Sequence, residues 1–550
     1  MNHWVIAPII LPALVAPVLI MIVRHHLDLQ RIFTVTSSVA LAVISVALLW
    51  TSASGQIEVY ELGNWPAPFG IVLVLDRLSA MMVALTAFLS LGVLLYAIGS
   101  GWDRRGRHFH PLFLFQIMGI NGAFLTGDAF NLFVFFEVLL IASYGLMIHG
   151  GGATRLRAGI QYVVYNLLGS TLFLFALGTI YAVTGTLNMA DLAVKVAELP
   201  EADAALIRVG AVLLLLVFCV KAAVLPLHFW LPASYANAPA PVAALFAVMT
   251  KIGAYSILRI YTLVFAPDLA VTAGLIDQVL MPAALLTLAI GAIGMLGARE
   301  IGRLTAFAAI GSMGTLLIAI ALFTPEATGA ALYYTVHSTF ATAALFLVVD
   351  ATVERRGTAA GHVVPAPAFA QQGLIAALFF AAAIAIAGMP PLSGYLGKLL
   401  VLDAARDHAQ ATLVWAVVLG GSLVMILGLA RAGSTVFWKT AAADGAEPGP
   451  DGRAVAPPGT AIPGTAVPAT ATPGAMPGAA TPGAIPDRAL PGTALSVSAI
   501  FAILAPLVLI TVLAGPFSAF TAATAEQLYA PQGYIEAVLG PQPAQPPQED

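Results

Sequence analysis

Residues 387–402 read AGMPPLSGYLGKLLVL and lie within a long apolar run. Pro390 and Pro391 lack a backbone N–H donor, and their rings clash with a preceding helical turn. Lys398 adds a charge that costs about 2.5–3.5 kcal/mol at the centre of a membrane helix on insertion scales. A broken helix is tolerated at membrane depth only where it is buried in protein or lines a cavity. The stretch therefore predicts a broken helix beside a buried, functional lysine.

The composition of the whole chain places this stretch in a membrane. Of its 550 residues, 60% are hydrophobic and 9% are charged, whereas soluble domains carry about 25% charged residues. Apolar runs long enough to cross a bilayer recur along the sequence. They predict an all-α polytopic membrane protein with about fourteen transmembrane helices. The predicted spans are residues 4–23, 31–50, 71–100, 110–126, 128–149, 158–184, 205–227, 238–264, 270–298, 303–322, 327–350, 371–403, 410–438 and 493–518.

The distribution of lysine and arginine predicts the orientation of these spans. Of the 23 Lys and Arg residues, fifteen lie in one set of alternate loops, three in the other set and five within the spans. The positive-inside rule assigns the richer set to the cytoplasm. We therefore expect both termini on the periplasmic or extracellular side of a bacterial inner membrane. The first positive charge, Arg24, follows the first apolar run, which predicts a retained helix and not a cleaved signal.

Several other classes of function are disfavoured by what the sequence contains. The single cysteine, Cys219, excludes a disulfide framework and a four-thiolate cluster within this chain. No nucleotide-binding glycine loop or redox motif stands out, so we expect no cofactor and no enzymatic activity. Residues 441–492 are rich in Ala, Pro, Gly and Thr, which predicts a disordered cytoplasmic connection.

A set of ionisable side chains is predicted at membrane depth, where each is a functional hypothesis by default. Simpler interpretations exist: a protonated glutamate can serve packing, a lysine can extend to the membrane surface, and a lone histidine can be a core residue. Burial disfavours a charged lysine and a nearby carboxylate favours it, so a moving carboxylate can make the lysine release its proton. The set is more typical of a proton path than of a solute pocket, and comprises Glu137, Lys221, Lys251, His337 and Lys398.

Two similar stretches mark the predicted helix breaks, PLHFWL at 226–231 and PLSGYL at 391–396. Pro226 follows Lys221 and precedes His228, whereas Ser393 follows the Pro390–Pro391 pair and could bond to freed carbonyls. Spans 4–8 and 9–13 would form two five-helix units that insert upside down relative to each other, as in many transporters. The predicted division of the chain is 1–109, 110–265 (first repeat), 266–440 (second repeat), 441–492 and 493–550.

Five stretches together resemble the antiporter-like subunits shared by respiratory complex I and the Mrp multisubunit cation/proton antiporters. They are FFEVLLIASYGLM, VKAAVLPLHFWLP, ANAPAPVAALFAVMTKIGAYSILR, YYTVHSTFATAALFL and GMPPLSGYLGKLL. The resemblance covers about residues 1–440 and the last helix. The chain looks most like the D-type Mrp subunits, because Lys398 stands where one complex I homologue has a glutamate, and because of VHSTFATAALFL. The 441–492 insertion departs from the compact loop of the family.

This resemblance implies a function. It implies fourteen helices with inverted repeats, broken helices 7 and 12, and a pair formed by Glu137 and Lys221. Lys251 and His337 would then relay protons towards Lys398. We expect a proton-translocating subunit of a hetero-oligomeric antiporter for sodium, or also potassium. Its partners would be other subunits, protons, Na⁺ and membrane lipid, but not nucleic acid.

Two alternatives remain open at this point. One is a proton-pumping membrane subunit of a quinone-reducing complex I, driven by redox chemistry in other subunits. The other is a scaffold that only holds neighbouring subunits. The cost of placing charges at membrane depth argues against a scaffold.

Overall fold

The structure, a computed structural model, describes residues 2–199, 204–266, 269–439 and 494–541. The predicted connection at 441–492 lies outside the described residues. The described ranges form a two-stranded hairpin, β1 (Glu58–Glu61) and β2 (Val72–Leu75), and the helices α1 (Ala7–Met21), α2 (Leu27–Ala53), α3 (Arg77–Gly99), α4 (Phe109–Leu125), α5 (Ala129–Met147), α6 (Ala153–Thr184), α7 (Met189–Ala197), α8 (Ala204–Lys221), α9 (Trp230–Asn237), α10 (Ala240–Leu263), α11 (Met281–Gly297), α12 (Ile301–Ala321), α13 (Pro325–Val353), α14 (Gln372–Ala387), α15 (Ser393–Ala404), α16 (Ala411–Gly433), α17 (Ala494–Val512), α18 (Ala514–Tyr529) and α19 (Gln532–Leu539).

The helices are those of a polytopic membrane protein, as predicted. Within the described residues, ten helical segments are long and apolar enough to cross a bilayer. Three shorter apolar helices, α1, α4 and α14, accompany them. The chain is therefore an all-α multi-pass membrane protein, and its described residues include one small hairpin.

The predicted span 71–100 begins too early. Residues Val72–Leu75 form β2, which pairs antiparallel with β1, and the helix starts only at Arg77. A capping box sets this start: the Asp76 carboxylate accepts from the Ser79 N–H, and the Ser79 hydroxyl accepts from the Asp76 N–H. A short apolar run before such a cap fits either a strand or a helix, and only pairing decided between them.

Other predicted spans also differ from the helices observed. The predicted span 493–518 crosses a boundary, since α17 ends at Val512 and α18 begins at Ala514. The predicted span 371–403 is interrupted between α14 and α15, and the predicted span 205–227 ends as an α-helix at Lys221. By contrast, the long span 158–184 corresponds to α6, one continuous helix of 32 residues.

Three helices form the centre of the molecule. The most apolar windows of α10, α12 and α13 are 100%, 94% and 89% buried, against 33% for α16 and for α17. Helices that are apolar all round belong in the interior of a bundle, and those with one covered side belong at its edge. The interior helices α10 and α13 carry Lys251 and His337, so these side chains lie inside the bundle.

A buried chain of titratable side chains

His337 lies at the middle of α13 and faces the start of α15. Its Nδ1 is 2.9 Å from the hydroxyl oxygen of Ser393, the first residue of α15. Its Nε2 has no hydrogen-bond partner among the described residues, although the carbonyl of Ala385 is nearby. Gly394 permits this approach, because a Cβ there would lie 2.9 Å from the imidazole. The ring is thus held by one hydroxyl and keeps one nitrogen free for exchange.

Lys398 forms a hydrogen bond across the break between α14 and α15. Its ammonium donates to the carbonyl of Ala387 at 2.7 Å and to the hydroxyl of Ser422 at 2.9 Å. Ala387 is the last residue of α14, where helix carbonyls lack an intrahelical partner and carry the negative end of the dipole. The sequence predicts that Ser393 bonds to the freed carbonyls. Instead Lys398 takes that role, and Ser393 bonds His337.

Of the three side chains Lys251, His337 and Lys398, Lys251 makes the fewest hydrogen bonds. It is 1% exposed on the fully buried helix α10, and its Nζ has no hydrogen-bond partner among the described residues. The charges of Lys251 and Lys398 both act on His337. The relay order Lys251, His337, Lys398, which the family resemblance implies, stays a prediction.

The other two predicted residues lie earlier in the chain, on α5 and α8. Lys221, the last residue of α8, donates to the side-chain carbonyl of Asn166 at 3.2 Å and lies 5.6 Å from the ring of Phe136. Glu137 is half-buried, and its Oε1 has no partner among the described residues. Its charge acts on Lys221, but these two described side chains form no direct ion pair. The pairing of Glu137 with Lys221 therefore stays a prediction. In the described structure, Glu137 acts on Lys221 only through the electrostatic effect of its charge.

Asn166 was missed by sequence reasoning. It lies within the long apolar run of α6, where its amide also donates to the carbonyl of Tyr162 at 2.8 Å. A lone asparagine at membrane depth is a signal that could have been used, because such a side chain must find a partner there. The amide orients the lysine without adding a charge.

The backbone groups at the break after α8 have different hydrogen-bond partners from those at the break after α14. The indole N–H of Trp230 donates to the carbonyl of Val220 at 3.1 Å, and the N–H of Leu225 donates to the hydroxyl of Thr287 at 2.9 Å. Pro226 precedes a single 3₁₀ turn, Leu227–Phe229. His228 is buried in this turn, and its Nδ1 has no partner among the described residues. The structure does not connect His228 to Lys221.

Arg259 has a structural role. It forms a buried bidentate ion pair with Asp76, at 2.6 and 2.9 Å, and its guanidinium lies 5.3 Å from the ring of Tyr534. Burial alone would raise the pKa of the Asp76 carboxyl, but Arg259 and Ser79 hold it below its usual range. The pair joins the start of α3 to α10 and takes no part in the chain of amines.

No described group of three His, Cys, Asp or Glu side chains could hold a metal ion. What the described residues do bring together are protonatable groups, hydroxyls and helix ends. Such groups can pass protons over short distances, and buried amines between them can hold or release a charge.

A bundle of apolar helices with titratable side chains in its interior is typical of an ion-translocating membrane protein. The family described as NADH:quinone oxidoreductase/Mrp antiporter, TM, matches residues 126–424, which is more than half of the chain. The chain belongs to this family. The matched region includes all five predicted relay residues.

The curated relatives are D-type subunits of antiporters. The chain is 40% identical over 473 residues to the D-type subunit of a probable K⁺/H⁺ antiporter of Rhizobium meliloti, covering 80% of this chain and 87% of that protein. It is 39% identical over 440 residues to the D-type subunit of a Na⁺/H⁺ antiporter of Bacillus subtilis, with the same two coverages. The predicted resemblance to D-type Mrp subunits is confirmed.

Solved structures share the fold. A chain in the structure of the Mrp complex from Dietzia sp. superposes with a TM-score of 0.80 at 28% identity, covering 98% of this chain and 100% of that chain. A chain of respiratory complex I from Thermus thermophilus gives a TM-score of 0.73 at 22% identity, over 96% and 100%. The second likeness shows the fold alone.

Proposed function

We propose that this chain is the proton-translocating D-type subunit of a multisubunit antiporter that exchanges Na⁺ or K⁺ for protons in a bacterial inner membrane. The observation that carries the proposal is the arrangement of Lys251, His337 and Lys398. Three titratable groups are buried at the centre of the bundle, one of them unpartnered among the described residues, at a cost that only a functional role offsets. The relatives named as D-type antiporter subunits supply the class of transport.

The proposed topology has about fourteen transmembrane helices. Helix 7 is α8 continued by α9, and helix 12 is α14 continued by α15, each broken at its prolines. Two inverted five-helix repeats would then span residues 110–265 and 266–440, preceded by 1–109 and followed by the connection 441–492 and by 493–550. In support, the aligned stretches PLHFWL and PLSGYL both follow the end of an apolar helix.

The proposed orientation places both termini on the periplasmic or extracellular side. The arginine-rich ends of α3, α5, α11 and α13 then face the cytoplasm, in accord with the positive-inside rule. Arg105 and Arg155 lie at this end. We call it the basic end of the molecule.

In the proposed mechanism, Glu137 and Lys221 control the relay, and Lys251, His337 and Lys398 carry the proton. A shift of the Glu137 charge relative to Lys221 changes which form of that amine is favoured. His337 can accept a proton on its free Nε2 while Nδ1 stays on the Ser393 hydroxyl. Inward proton movement would drive the metal cation outward through the assembled complex.

A proton pump of complex I shares this fold, so the fold alone does not separate the two functions. The identities of 39–40% to D-type antiporter subunits favour the antiporter. A first test is to purify the tagged chain gently from its native membrane. A colourless complex with small hydrophobic partners and sodium- or potassium-dependent proton flux supports the proposal. A brown complex that oxidises a nicotinamide would replace it by the complex I function.

The relay is tested by Glu137→Ala and Lys221→Ala in the assembled complex, reconstituted in vesicles with a pH-sensitive dye. Both variants should assemble and lose antiport. The matched control is Lys195→Ala on α7, whose amine is 41% exposed and paired with Asp191 at 2.9 Å, and which should keep wild-type rates. Normal antiport in both relay variants would overturn the relay.

A further inference from the structure

A large pocket opens at the basic end, and the relay does not account for it. Its volume is about 910 Å³, and it is lined by the loop after α3, the start of α6, the end of α9, the start of α10 and the end of α13. Two acidic side chains from the end of α13, Asp350 and Glu354, contribute to its wall. Helix α13 thus carries His337 at its middle and this acidic pair at its basic end.

Asp350 is a buried part of the pocket wall and not an exposed surface charge. It is 9% exposed, and its carboxylate accepts from the hydroxyl of Tyr96 at 2.8 Å and from the indole of Trp102 at 2.8 Å. Neither donor carries a positive charge, so Asp350 is hydrogen-bonded but not neutralised by contact. Such a carboxyl can hold a proton or give it up.

Glu354 lies one turn further, beyond the end of α13, with its side chain 11% exposed. It forms an ion pair with Arg105 at 3.0 Å, and the Arg105 guanidinium stacks on the ring of Trp102 at 3.8 Å. Burial, and then the negative charge of Asp350, raise the pKa of Glu354 to about 7 against the opposing charges of Arg105 and Arg355. Glu354 can therefore exchange a proton near neutral pH.

A stripe of small side chains leads from this pocket to Lys251. Ala240 lines the pocket at the start of α10, and Ala244, Ala247 and Lys251 follow at the helical spacing that puts four residues on one face. The step of eleven residues from Ala240 to Lys251 corresponds to a rise of about 16 Å along the axis of α10. Helical side chains lean towards the N-terminus of their helix, so the long lysine side chain points back along the stripe towards the pocket. Its amine has no partner among the described residues.

Resting on the proposed function, we propose that this pocket is the basic-end proton port of the relay. In it, Asp350 and Glu354 pass protons between bulk water and Lys251 along the alanine stripe of α10. The step is a proton transfer only. An O–H bond of a carboxyl breaks as an O–H bond to water forms, and the last water in the file gives its proton to the amine. No electrons are exchanged, and the reverse sequence releases the proton.

Charged groups face the pair, and the three arginines among them set its proton affinity. Arg105 and Arg155 lie on the loop after α3 and on α6, Arg355 follows on the same chain segment, and Glu300 and His362 lie at the rim. Glu300 is 48% exposed and lies 3.7 Å from His362. It belongs to the rim and not to the path, and it serves as the matched acidic control.

The first arm of the test measures antiport by the assembled complex in vesicles from pH 6 to pH 8. The double variant Asp350→Asn, Glu354→Gln keeps acceptors for Tyr96 and Trp102 but removes both exchangeable protons. We expect its rate to fall about tenfold, because a positioned proton-transfer group contributes at least that much. Its pH dependence near pH 7 should flatten, since Glu354 titrates there. Glu300→Gln should behave as wild type.

The second arm maps water access in the Cys219→Ser background, which removes the native thiol. A membrane-impermeant charged thiol reagent, added from the basic end, should label Ala247→Cys. It should not label Ala254→Cys, which continues the same helix face beyond Lys251. Unlabelled Ala247→Cys, or the double carboxyl variant at wild-type rate, would overturn the port.

These outcomes separate the port from the proposed function. If the wild-type complex shows cation-driven proton flux and Lys251→Ala abolishes it, the relay stands whichever way the carboxyl and cysteine variants behave. If the wild-type complex shows no such flux, the proposed antiport fails by itself, while labelling of Ala247→Cys still reports whether water reaches the stripe.

Discussion

The two helix breaks share a sequence pattern but are stabilised in opposite ways. After α8 the carbonyl of Val220 accepts from the indole of Trp230 and from the N–H of Ala223, both of which are neutral donors. After α14 the freed carbonyl of Ala387 is taken by the ammonium of Lys398 itself. In the first break the lysine precedes the proline and bonds an amide across the bundle. In the second break the lysine follows the prolines and itself donates to the last carbonyl of α14.

At the first break, the hydrogen bonds that stabilise the interrupted helix do not depend on the charge of the nearby lysine. At the second break, they do. A neutral indole can satisfy the first break whatever the protonation state of Lys221. At the second break, moving or neutralising Lys398 also weakens the hydrogen bond that satisfies the end of α14. The second break is therefore the one whose local structure is coupled to the charge of its lysine, as a conformational gate would require.

The largest effect is expected from Lys398→Met, which keeps the length of the side chain and removes its charge. Antiport should fall to background, because the exchangeable amine is lost together with the donor to Ala387. The measurement is cation-driven proton flux by the assembled complex. Ser422→Ala, which removes only the second partner of the amine, should keep most of the activity. Substantial antiport by Lys398→Met would remove the second break from the mechanism.

The next effect is expected from Gly388→Ala, between the two helices of the second break. The residue has φ +78°, and a Cβ would lie 2.6 Å from Cδ of Lys398. The left-handed backbone and the displaced lysine should together cost about 1–3 kcal/mol. Thermal unfolding of the purified complex measures this loss. Gly373→Ala on α14, where nothing lies within 4 Å of the added methyl, should leave the unfolding temperature nearly unchanged.

A smaller effect is expected from Trp230→Phe in the first break. The variant keeps an aromatic ring and removes one of two donors to the Val220 carbonyl, the other being the N–H of Ala223 at 3.2 Å. This loss should cost about 0.5–1 kcal/mol of stability. Transport should be largely retained, since no charge is lost. Trp415→Phe provides the comparison, because that indole donates to the carbonyl of Leu402 at 3.0 Å outside both breaks. Loss of transport in Trp230→Phe alone would mean that the first break is also coupled to charge.

The smallest effect is expected at the two aligned positions after the prolines. Ser393→Ala removes the partner of His337 Nδ1 and should slow antiport by a few-fold, since one hydrogen bond is worth about 0.5–1.5 kcal/mol. His228→Asn should have no effect on rate, because His228 makes no contact with the predicted relay residues in the described structure. Equal rates in both variants would show that Ser393 does not position the imidazole.

Much of the fold and of the candidate site could be predicted from the sequence because the membrane simplifies the physics. Apolar runs must become helices where no water satisfies the backbone, and this rule located most of the transmembrane helices. It failed at Val72–Leu75, a buried apolar run that pairs as a strand. It also could not find Asn166, Asp350 or Glu354. Their roles depend on which helices meet, and sequence spacing does not give that.

The sequence by itself determined that this chain is a multi-pass helical membrane protein, that two of its apolar runs are interrupted near prolines, and that ionisable residues lie within apolar helices. These follow from local composition, since the cost of burying a charge or losing a backbone donor is set residue by residue. Only the tertiary structure decided the partners: the cap of Lys398 on Ala387, the hydroxyl of Ser393 on His337, and the amine of Lys251, which has no partner among the described residues. Partners are decided by packing between distant segments, and several geometries satisfy the same local requirement equally well.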